Sequence, residues 1–158
     1  MSANSFKKLR DVVLFRDLDA KELEKVADAC QEVRFPGGAT IIQESSVGDS
    51  MYVILEGAVK VHKQDFFGGK EVITTLHEGD HFGELSLFDS APRSAAVTAI
   101  RETLLLELKG PDLHRIMASD AHLAQSIYRS VISELAYRLR ETNEHLIYLV
   151  GRSEETKN

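Results

Sequence analysis

Residues 82–97 read FGELSLFDSAPRSAAV, and this stretch carries most of the chemistry in the chain. Gly83 lets the backbone approach a ligand closely because it has no side chain. The residues from Glu84 to Leu87 can form one helical turn whose first backbone N–H groups have no partners within the turn and can bind an anion. Nine residues after Glu84, Arg93 supplies a guanidinium that suits a singly charged phosphodiester, while a carboxylate can accept hydrogen bonds from sugar hydroxyls. The pattern therefore predicts a site for phosphate and ribose together.

Around this stretch the sequence consists of short apolar runs separated by glycine-containing turns. The turns recur about every ten residues, and five runs rich in β-branched or aliphatic residues lie between them, at 51–55, 58–61, 72–76, 95–99 and 104–108. Many short strands joined by glycine turns are typical of a β-barrel or a jelly-roll sandwich. We therefore predict the α+β class, with an eight-stranded antiparallel β-barrel (jelly roll), short flanking helices and a long C-terminal helix.

Helical patterns flank the predicted barrel on both sides. Asp19 and Glu22 have the spacing of a capping box, which indicates a helix start ahead of the barrel. After the barrel, a short helix is followed by a long one from about Asp120 to Val150. We predict four segments: an N-terminal helical segment 1–32, the barrel 33–110, the C-terminal helices 111–150 and a disordered tail 151–158.

The long helix carries two apolar stripes. One stripe alternates spacings of four and three, which is the pattern of a coiled-coil seam: Tyr128, Ile132, Leu135, Leu139, Thr142, Leu146 and Leu149. The other consists of Leu123, Ile127 and Val131 and would pack on the barrel. The first stripe predicts a homodimer through Tyr128–Leu149, and the alternative is one amphipathic helix that serves only its own domain.

Composition excludes several classes of protein. Nineteen basic against twenty-five acidic residues give a net charge of −6, which is unlike a stand-alone nucleic-acid-binding protein. The single cysteine, Cys30, excludes an internal disulfide framework and a cysteine-rich metal site, and its apolar spacing predicts a buried, inert thiol. No run approaches the roughly 18 apolar residues of a membrane span, and the N-terminus does not resemble a signal peptide. We therefore expect a cytoplasmic protein with no membrane partner and no direct nucleic-acid partner.

Residues 82–97 resemble the phosphate-binding cassette of cyclic-nucleotide-binding domains, F-G-E-L-[AS]-L followed by five residues and R-[STA]-A-x-V. Ile41-Ile42, Gly48-Asp49 and residues 51–57 are similar to the first barrel signature of that family. The family usually has glycine and an acid where this chain has Ser45 and Ser46. A positive φ at Ser45 would be strained without glycine, which puts the local turn in doubt but not the pocket.

The resemblance implies a role for each residue of the cassette. Arg93 would bind the exocyclic phosphate oxygens, and Glu84 would bind the ribose 2′-hydroxyl. Gly83 and Leu85 would offer backbone groups, while the Ser94 hydroxyl and the Ala95 amide would support the phosphate. Taken singly, Arg93 could be a surface arginine and Glu84 a helix-initiating residue, but their spacing favours a joint site. The full candidate set is Phe82, Gly83, Glu84, Leu85, Ser86, Arg93, Ser94, Ala95, Thr142 and Asn143.

Residues 135–144, LAYRLRETNE, resemble the dimer helix of catabolite-activator-type transcription regulators. In that family a threonine and the next residue, here Thr142 and Asn143, reach the adenine from the two subunits. The resemblance implies cyclic AMP as the ligand, with cyclic GMP as the alternative, and Ser94 is compatible with either.

Those regulators continue into a helix-turn-helix domain, whereas this chain stops at Asn158. We expect the output to pass through an unknown downstream protein partner. The alternatives are a regulatory fragment of a larger transcription factor, channel or kinase, and a degenerate barrel that serves only as an interaction module.

A metal-dependent enzyme of the cupin type is the last alternative. His77, His81 and Glu84 lie close in sequence, but on a strand the two histidines would share a face that Glu84 does not. The chain has no His-x-His pair, and no nucleophile with an adjacent base stands out. We therefore expect a non-catalytic protein with no catalytic residues, no metal and no cofactor other than its nucleotide ligand.

Overall fold

A computed structural model describes residues 3–64, 67–89 and 91–155. Its elements follow the order helices, strands, helices: α1 Ala3–Asp11, a 3₁₀ turn Val13–Phe15, α2 Ala20–Ala29, β1 Gln31–Phe35, β2 Thr40–Ile42, β3 Ser50–Glu56, β4 Ala58–Gln64, β5 Lys70–His77, β6 His81–Phe82, a 3₁₀ turn Glu84–Leu87, β7 Ala96–Ala99, β8 Thr103–Lys109, α3 Gly110–Ser119 and α4 Ala121–Glu155. The predicted class and the predicted number of strands are confirmed.

The eight strands form two antiparallel four-stranded sheets rather than one closed barrel. The strand orders are β1-β8-β3-β6 in the first sheet and β2-β7-β4-β5 in the second. The sheets do not close because β2 and β6, each at a sheet edge, are only three and two residues long. Their facing surfaces enclose a core of Ile42, Tyr52, Ile54, Val59, Phe82, Val97 and Leu105. The architecture is a jelly-roll sandwich that stays open at its edges.

The first sheet buries its outer face under a helical layer. Apolar residues of α1, the first 3₁₀ turn and α2 pack there with the start of α4, and they share one core with Met51, Val53, Leu106 and Leu108 of the sheet. Leu123 and Ile127 of α4 are fully buried in this core, and Val131 packs against it. The stripe predicted to dock on the barrel is thereby confirmed. Alternate residues of β3 face the two cores, as the period of a strand requires.

The two ends of the helical layer are tied together by polar contacts. Asp19 and Glu22 form the predicted capping box at the start of α2. Glu22 also contacts His122 Nδ1 at 2.5 Å, and Lys25 pairs with Asp120 at 2.6 Å. Both pairs join α2 to the first turn of α4. The N-terminal segment and the C-terminal helix therefore form one structural unit.

The long helix α4 extends further than predicted. Its 35 residues span about 52 Å at about 1.5 Å per residue. Part of the predicted tail is therefore helical, because residues 151–155 contain no proline, and one glycine costs only about 1 kcal/mol in a helix. Residues 156–158 of that tail lie outside the described residues, as does the side chain of Leu149. Within the described residues, no helix has the length and apolar character that crossing a bilayer requires.

Candidate functional site

Arg93 is held at the centre of the site by backbone carbonyls. Its Nη2 donates to Ser50 O at 2.7 Å and its Nη1 to Gly83 O at 3.2 Å, and the residue is 7% exposed. Burial lowers the pKa of the guanidinium, while the nearby Tyr52, Asp49 and Glu84 act in the opposite direction. An arginine with so high an ordinary pKa stays charged. The site therefore holds a buried cation that lacks a hydrogen-bonded carboxylate partner among the described contacts.

Two glycines allow the chain to lie against this guanidinium. Gly83 has a φ of 81°, and a Cβ there would lie 2.8 Å from Arg93 Nη1 and 2.8 Å from Ser50 O. A Cβ at Gly48 would lie 3.1 Å from Arg93 Nε. A side chain at Gly83 would therefore displace the arginine, which explains why glycine precedes Glu84.

The turn after β2 fixes the backbone of Arg93. Ser45 N donates to Arg93 O at 2.8 Å, and Arg93 N donates to Ser46 O at 2.9 Å. Ser45 has a φ of 62° and is the one non-glycine residue with positive φ in the described part of the chain. The departure noted at Ser45 is thus accommodated: the turn keeps its left-handed conformation with serine in place of glycine, at a cost in strain.

Glu84 lies at the start of the 3₁₀ turn and is 8% exposed. Its Oε1 is 2.7 Å from Nη1 of Arg138, which reaches down from α4. Arg138 Nε also donates to Glu134 Oε1 at 2.8 Å, one helical turn earlier. Burial lowers the pKa of Arg138, but Glu84 and Glu134 outweigh it, so the pKa is raised overall. The carboxylate predicted to take a sugar hydroxyl is therefore ion-paired to the long helix.

These groups line a cavity of about 320 Å³. This volume lies within the size range of small-ligand sites. All eight cassette residues in the candidate set line it: Phe82, Gly83, Glu84, Leu85, Ser86, Arg93, Ser94 and Ala95. Thr74 and Leu76 of β5 and Val61 of β4 complete the wall on the second sheet. The lining thus combines charged side chains, Arg93, Glu84 and Arg138, with apolar residues of both sheets.

Comparison with protein families shows to which family the chain belongs. The family model described as the cyclic nucleotide-binding domain matches residues 32–120. The chain belongs to the cyclic-nucleotide-binding domain family.

Known proteins of two regulatory classes are similar to this domain. A CRP-like cAMP-activated global transcriptional regulator of Mycobacterium tuberculosis is 31% identical over 87% of the chain and 59% of that protein. A cAMP-dependent protein kinase regulatory subunit of Dictyostelium discoideum is 35% identical over 68% of the chain and 34% of that protein. Among solved structures, the Thermus thermophilus catabolite activator protein is 28% identical, with a TM-score of 0.77 over 87% of the chain and 62% of that protein. The chain thus spans only a third to six-tenths of the relatives' lengths.

These similarities confirm the resemblance to catabolite-activator-type proteins. They also confirm that the cyclic-nucleotide-binding domain is regulatory and not an enzyme, because the relatives are a transcriptional regulator and a kinase regulatory subunit. Among the described residues, no group of three or more histidine, cysteine, aspartate or glutamate side chains is arranged to hold a metal ion.

Thr142 and Asn143 do not line the cavity of this single chain. Both are exposed, and the Thr142 hydroxyl donates to the carbonyl of Arg138 at 2.8 Å. Thr142 follows Arg138 by one helical turn and so lies on the same side of α4. The roles implied for these two residues remain predictions, since contact with a base would need the second subunit.

Sequence reasoning missed Arg138 and His81, which also line the cavity. Arg138 precedes Thr142 by four residues, and this i, i+4 spacing would have placed it beside the site once Thr142 was taken to face the ligand. His81 was considered only as a metal ligand. Its position next to Phe82 gave no other signal, because adjacent residues of a strand point to opposite faces.

Proposed function

We propose that this domain is a sensor of cyclic AMP that acts by ligand-induced repositioning of α4. The observation that carries the proposal is the buried Arg93, whose guanidinium lines a cavity shared with Glu84 and with Arg138 of the helix. A phosphodiester supplies the anion that this cation lacks, and a ribose supplies hydroxyl donors for the carboxylate. The relatives named for cyclic AMP in both regulatory classes support the choice of ligand.

The cassette can hold the phosphate through several kinds of donor. We assign the exocyclic phosphate oxygens to Arg93, with the Ser94 hydroxyl and the Ala95 amide beside it. Glu84 takes the ribose 2′-hydroxyl, while Gly83 and Leu85 offer backbone groups. All of these residues line one cavity, which supports the assignment.

Base selection is assigned to the helix. Thr142 can accept a hydrogen bond from the exocyclic amine of adenine, and Asn143 carries both a donor and an acceptor. One hydrogen bond contributes only about 0.5–1.5 kcal/mol, so cyclic AMP and cyclic GMP should differ in affinity by about tenfold or less. Cyclic GMP is therefore the second candidate ligand.

The coupling to α4 follows from the Glu84–Arg138 ion pair. A ribose that binds Glu84 changes the hold of this carboxylate on Arg138, and therefore on the helix that carries it. A ligand shifts a conformational equilibrium only through contacts that differ between two states, and we assign that role to this ion pair.

We also propose that the domain is a cytoplasmic homodimer joined through Tyr128–Leu149. In one chain the seam exposes a row of large apolar side chains, with Ile132 67% and Leu139 62% exposed. Such a row is unusual on a monomer surface and fits a coiled-coil partner. The downstream partner is a protein or a further domain that reads the position of α4.

Calorimetric titration tests the nucleotide proposal. Wild-type protein should bind cyclic AMP, and Arg93→Ala should weaken binding at least about 100-fold, because an unpaired buried charge costs about 3–5 kcal/mol. Arg93→Lys keeps the positive charge but loses the planar set of N–H donors of the guanidinium, and should give an intermediate affinity. Thr142→Ala should reduce the preference for cyclic AMP over cyclic GMP.

Arg34→Ala is the matched control. Arg34 is exposed on β1 and pairs with Glu102, and it is not among the residues that line the cavity. This variant should bind as wild type does. Wild-type protein that binds neither nucleotide, or an Arg93→Ala variant that folds and binds equally well, would overturn the proposal.

A further inference from the structure

His81 is a polar group of the cavity that the contacts assigned above to the nucleotide do not use. It opens β6 and pairs with Val53 of β3. The next residue, Phe82, packs in the inter-sheet core and stacks on Tyr52 at 5.2 Å. His81 therefore points away from that core, and it lines the cavity together with Arg138.

The imidazole of His81 has an unpaired nitrogen. Its Nε2 is buried and has no hydrogen-bond partner, the one such side-chain atom in the described part of the chain. Buried polar groups are nearly always paired, because an unmade hydrogen bond costs free energy. An unpaired buried nitrogen beside a ligand cavity therefore needs a functional explanation.

Charged groups face this imidazole from each element around it. Asp80 precedes it on its own segment, Glu84 approaches from the 3₁₀ turn, and Glu134 and Arg138 approach from α4. Burial lowers the pKa of His81 from 6.5, and Arg138 acts in the same direction. The three carboxylates act in the opposite direction without cancelling the effect of burial. His81 is consequently neutral at neutral pH and gains its charge only in acid.

We propose that His81 is a positioning residue of the nucleotide site, whose neutral form does not compete with the ribose for Glu84, so that mild acid weakens nucleotide binding. This proposal rests on the nucleotide-binding function proposed above. It adds a response to pH to that function.

The direction of the pH effect follows from where the proton sits. An imidazolium at His81 would compete with the ribose for the carboxylate of Glu84, and it would repel Arg138. A bound nucleotide also excludes water from the cavity, which lowers the pKa of His81 further, and the opposing effect of the phosphate is small because its charge is paired with Arg93. Binding then releases a proton, and affinity declines as the pH falls through the pKa of the unliganded protein.

Titrations at two pH values test the proposal. Cyclic AMP is titrated into wild type, His81→Gln and His81→Phe at about pH 7.5 and about pH 5.5, the range in which histidine changes its charge. The Kd of wild type should rise more on acidification than that of either variant, by up to about three- to tenfold, which is the limit set by a further pKa shift of about 0.5–1 unit on binding. Folding of the variants is checked by thermal melts. Because the two replacements differ in polarity, the test still stands if one of the variants fails to fold.

His77→Gln is the matched control. His77 ends β5 and is exposed, so its replacement removes one histidine without touching the cavity, and the pH dependence of wild type should persist. An equal rise of Kd in wild type and both His81 variants would overturn the role of His81 and leave the proposed function intact. Absence of binding to wild type at both pH values would overturn both.

A direct measurement of the His81 imidazole, made first without nucleotide, separates the two proposals further. The imidazole signal of His81, identified by its absence from the His81→Gln spectrum, should titrate below the ordinary range of histidine in the unliganded protein. Adding cyclic AMP should lower its midpoint further. A signal that titrates normally, or that does not move with bound nucleotide, would contradict the proposal.

Discussion

At the scale of single residues, the site depends on backbone geometry as much as on side-chain chemistry. Arg93 donates to two carbonyls, and its own backbone N–H and carbonyl pair with the Ser45–Ser46 turn. Ser45 adopts left-handed dihedrals that an L-residue populates only at a cost. The residue that would bind phosphate is thus anchored to a strained turn.

Replacing Ser45 with glycine should therefore stabilise the protein. Glycine removes the strain of a Cβ at positive φ, and the expected gain in the free energy of unfolding is about 0.5–1 kcal/mol after the entropy of the unfolded glycine is counted. Urea denaturation measures the change.

Ser46→Gly serves as the contrast within the same turn. The Ser46 hydroxyl donates to Gln43 O at 2.6 Å, and Ser46 does not have a positive φ. Its replacement loses a hydrogen bond and should destabilise the protein. If both glycine variants are destabilised, Ser45 is not strained in solution.

At the scale of elements, different residues of α4 have three structural roles. Its first turns are buried in the helical layer, Arg138 contacts Glu84 in the cavity, and an exposed apolar seam runs along the helix. The buried stripe and the seam use different residues, so a substitution on the seam should leave the packing on the barrel intact.

Leu139→Asp should convert a dimer into a monomer. A charge at the centre of an apolar seam must be desolvated against the partner helix, which is costly without a pairing cation. Sedimentation at micromolar concentration should show twice the chain mass for wild type and the chain mass for the variant. Ile147→Asp is the control, because Ile147 is also exposed but lies off the seam. A monomeric wild type would remove the coiled-coil proposal.

The elements differ in how well the sequence predicted them. The capping box at Asp19 and the buried stripe of α4 followed from local spacing, and the structure has both. The two-residue strand β6 and the separation into two sheets depend on long-range pairing, which leaves no periodic signal in so short a segment. The cassette residues were found because they are contiguous, whereas Arg138 lies 45 residues beyond Arg93 in sequence and meets the site only through the fold.

At the scale of the whole molecule, nucleotide and helix should report on each other. Saturating cyclic AMP should change amide hydrogen exchange in the part of α4 around Glu134 and Arg138, because the hold of Glu84 on the helix changes. Exchange followed by mass spectrometry measures this, and Arg93→Ala with the same nucleotide should show no change. Identical exchange in wild type with and without nucleotide would mean that the domain binds its ligand passively.

In the proposed mechanism, Arg138 is the point about which α4 tilts, and the length of the helix beyond it sets the size of the movement. Residues 139–155 continue as helix for about 25 Å, so a tilt of about 10° at the pivot displaces the far end by about 4 Å. The Glu84 carboxylate would move far less than this if it released Arg138 and accepted a hydrogen bond from a sugar hydroxyl instead. A rigid helix anchored at the ligand would in this way convert a rearrangement of hydrogen bonds into a displacement as large as an atom's diameter, which a partner could detect as a change of position rather than of chemistry.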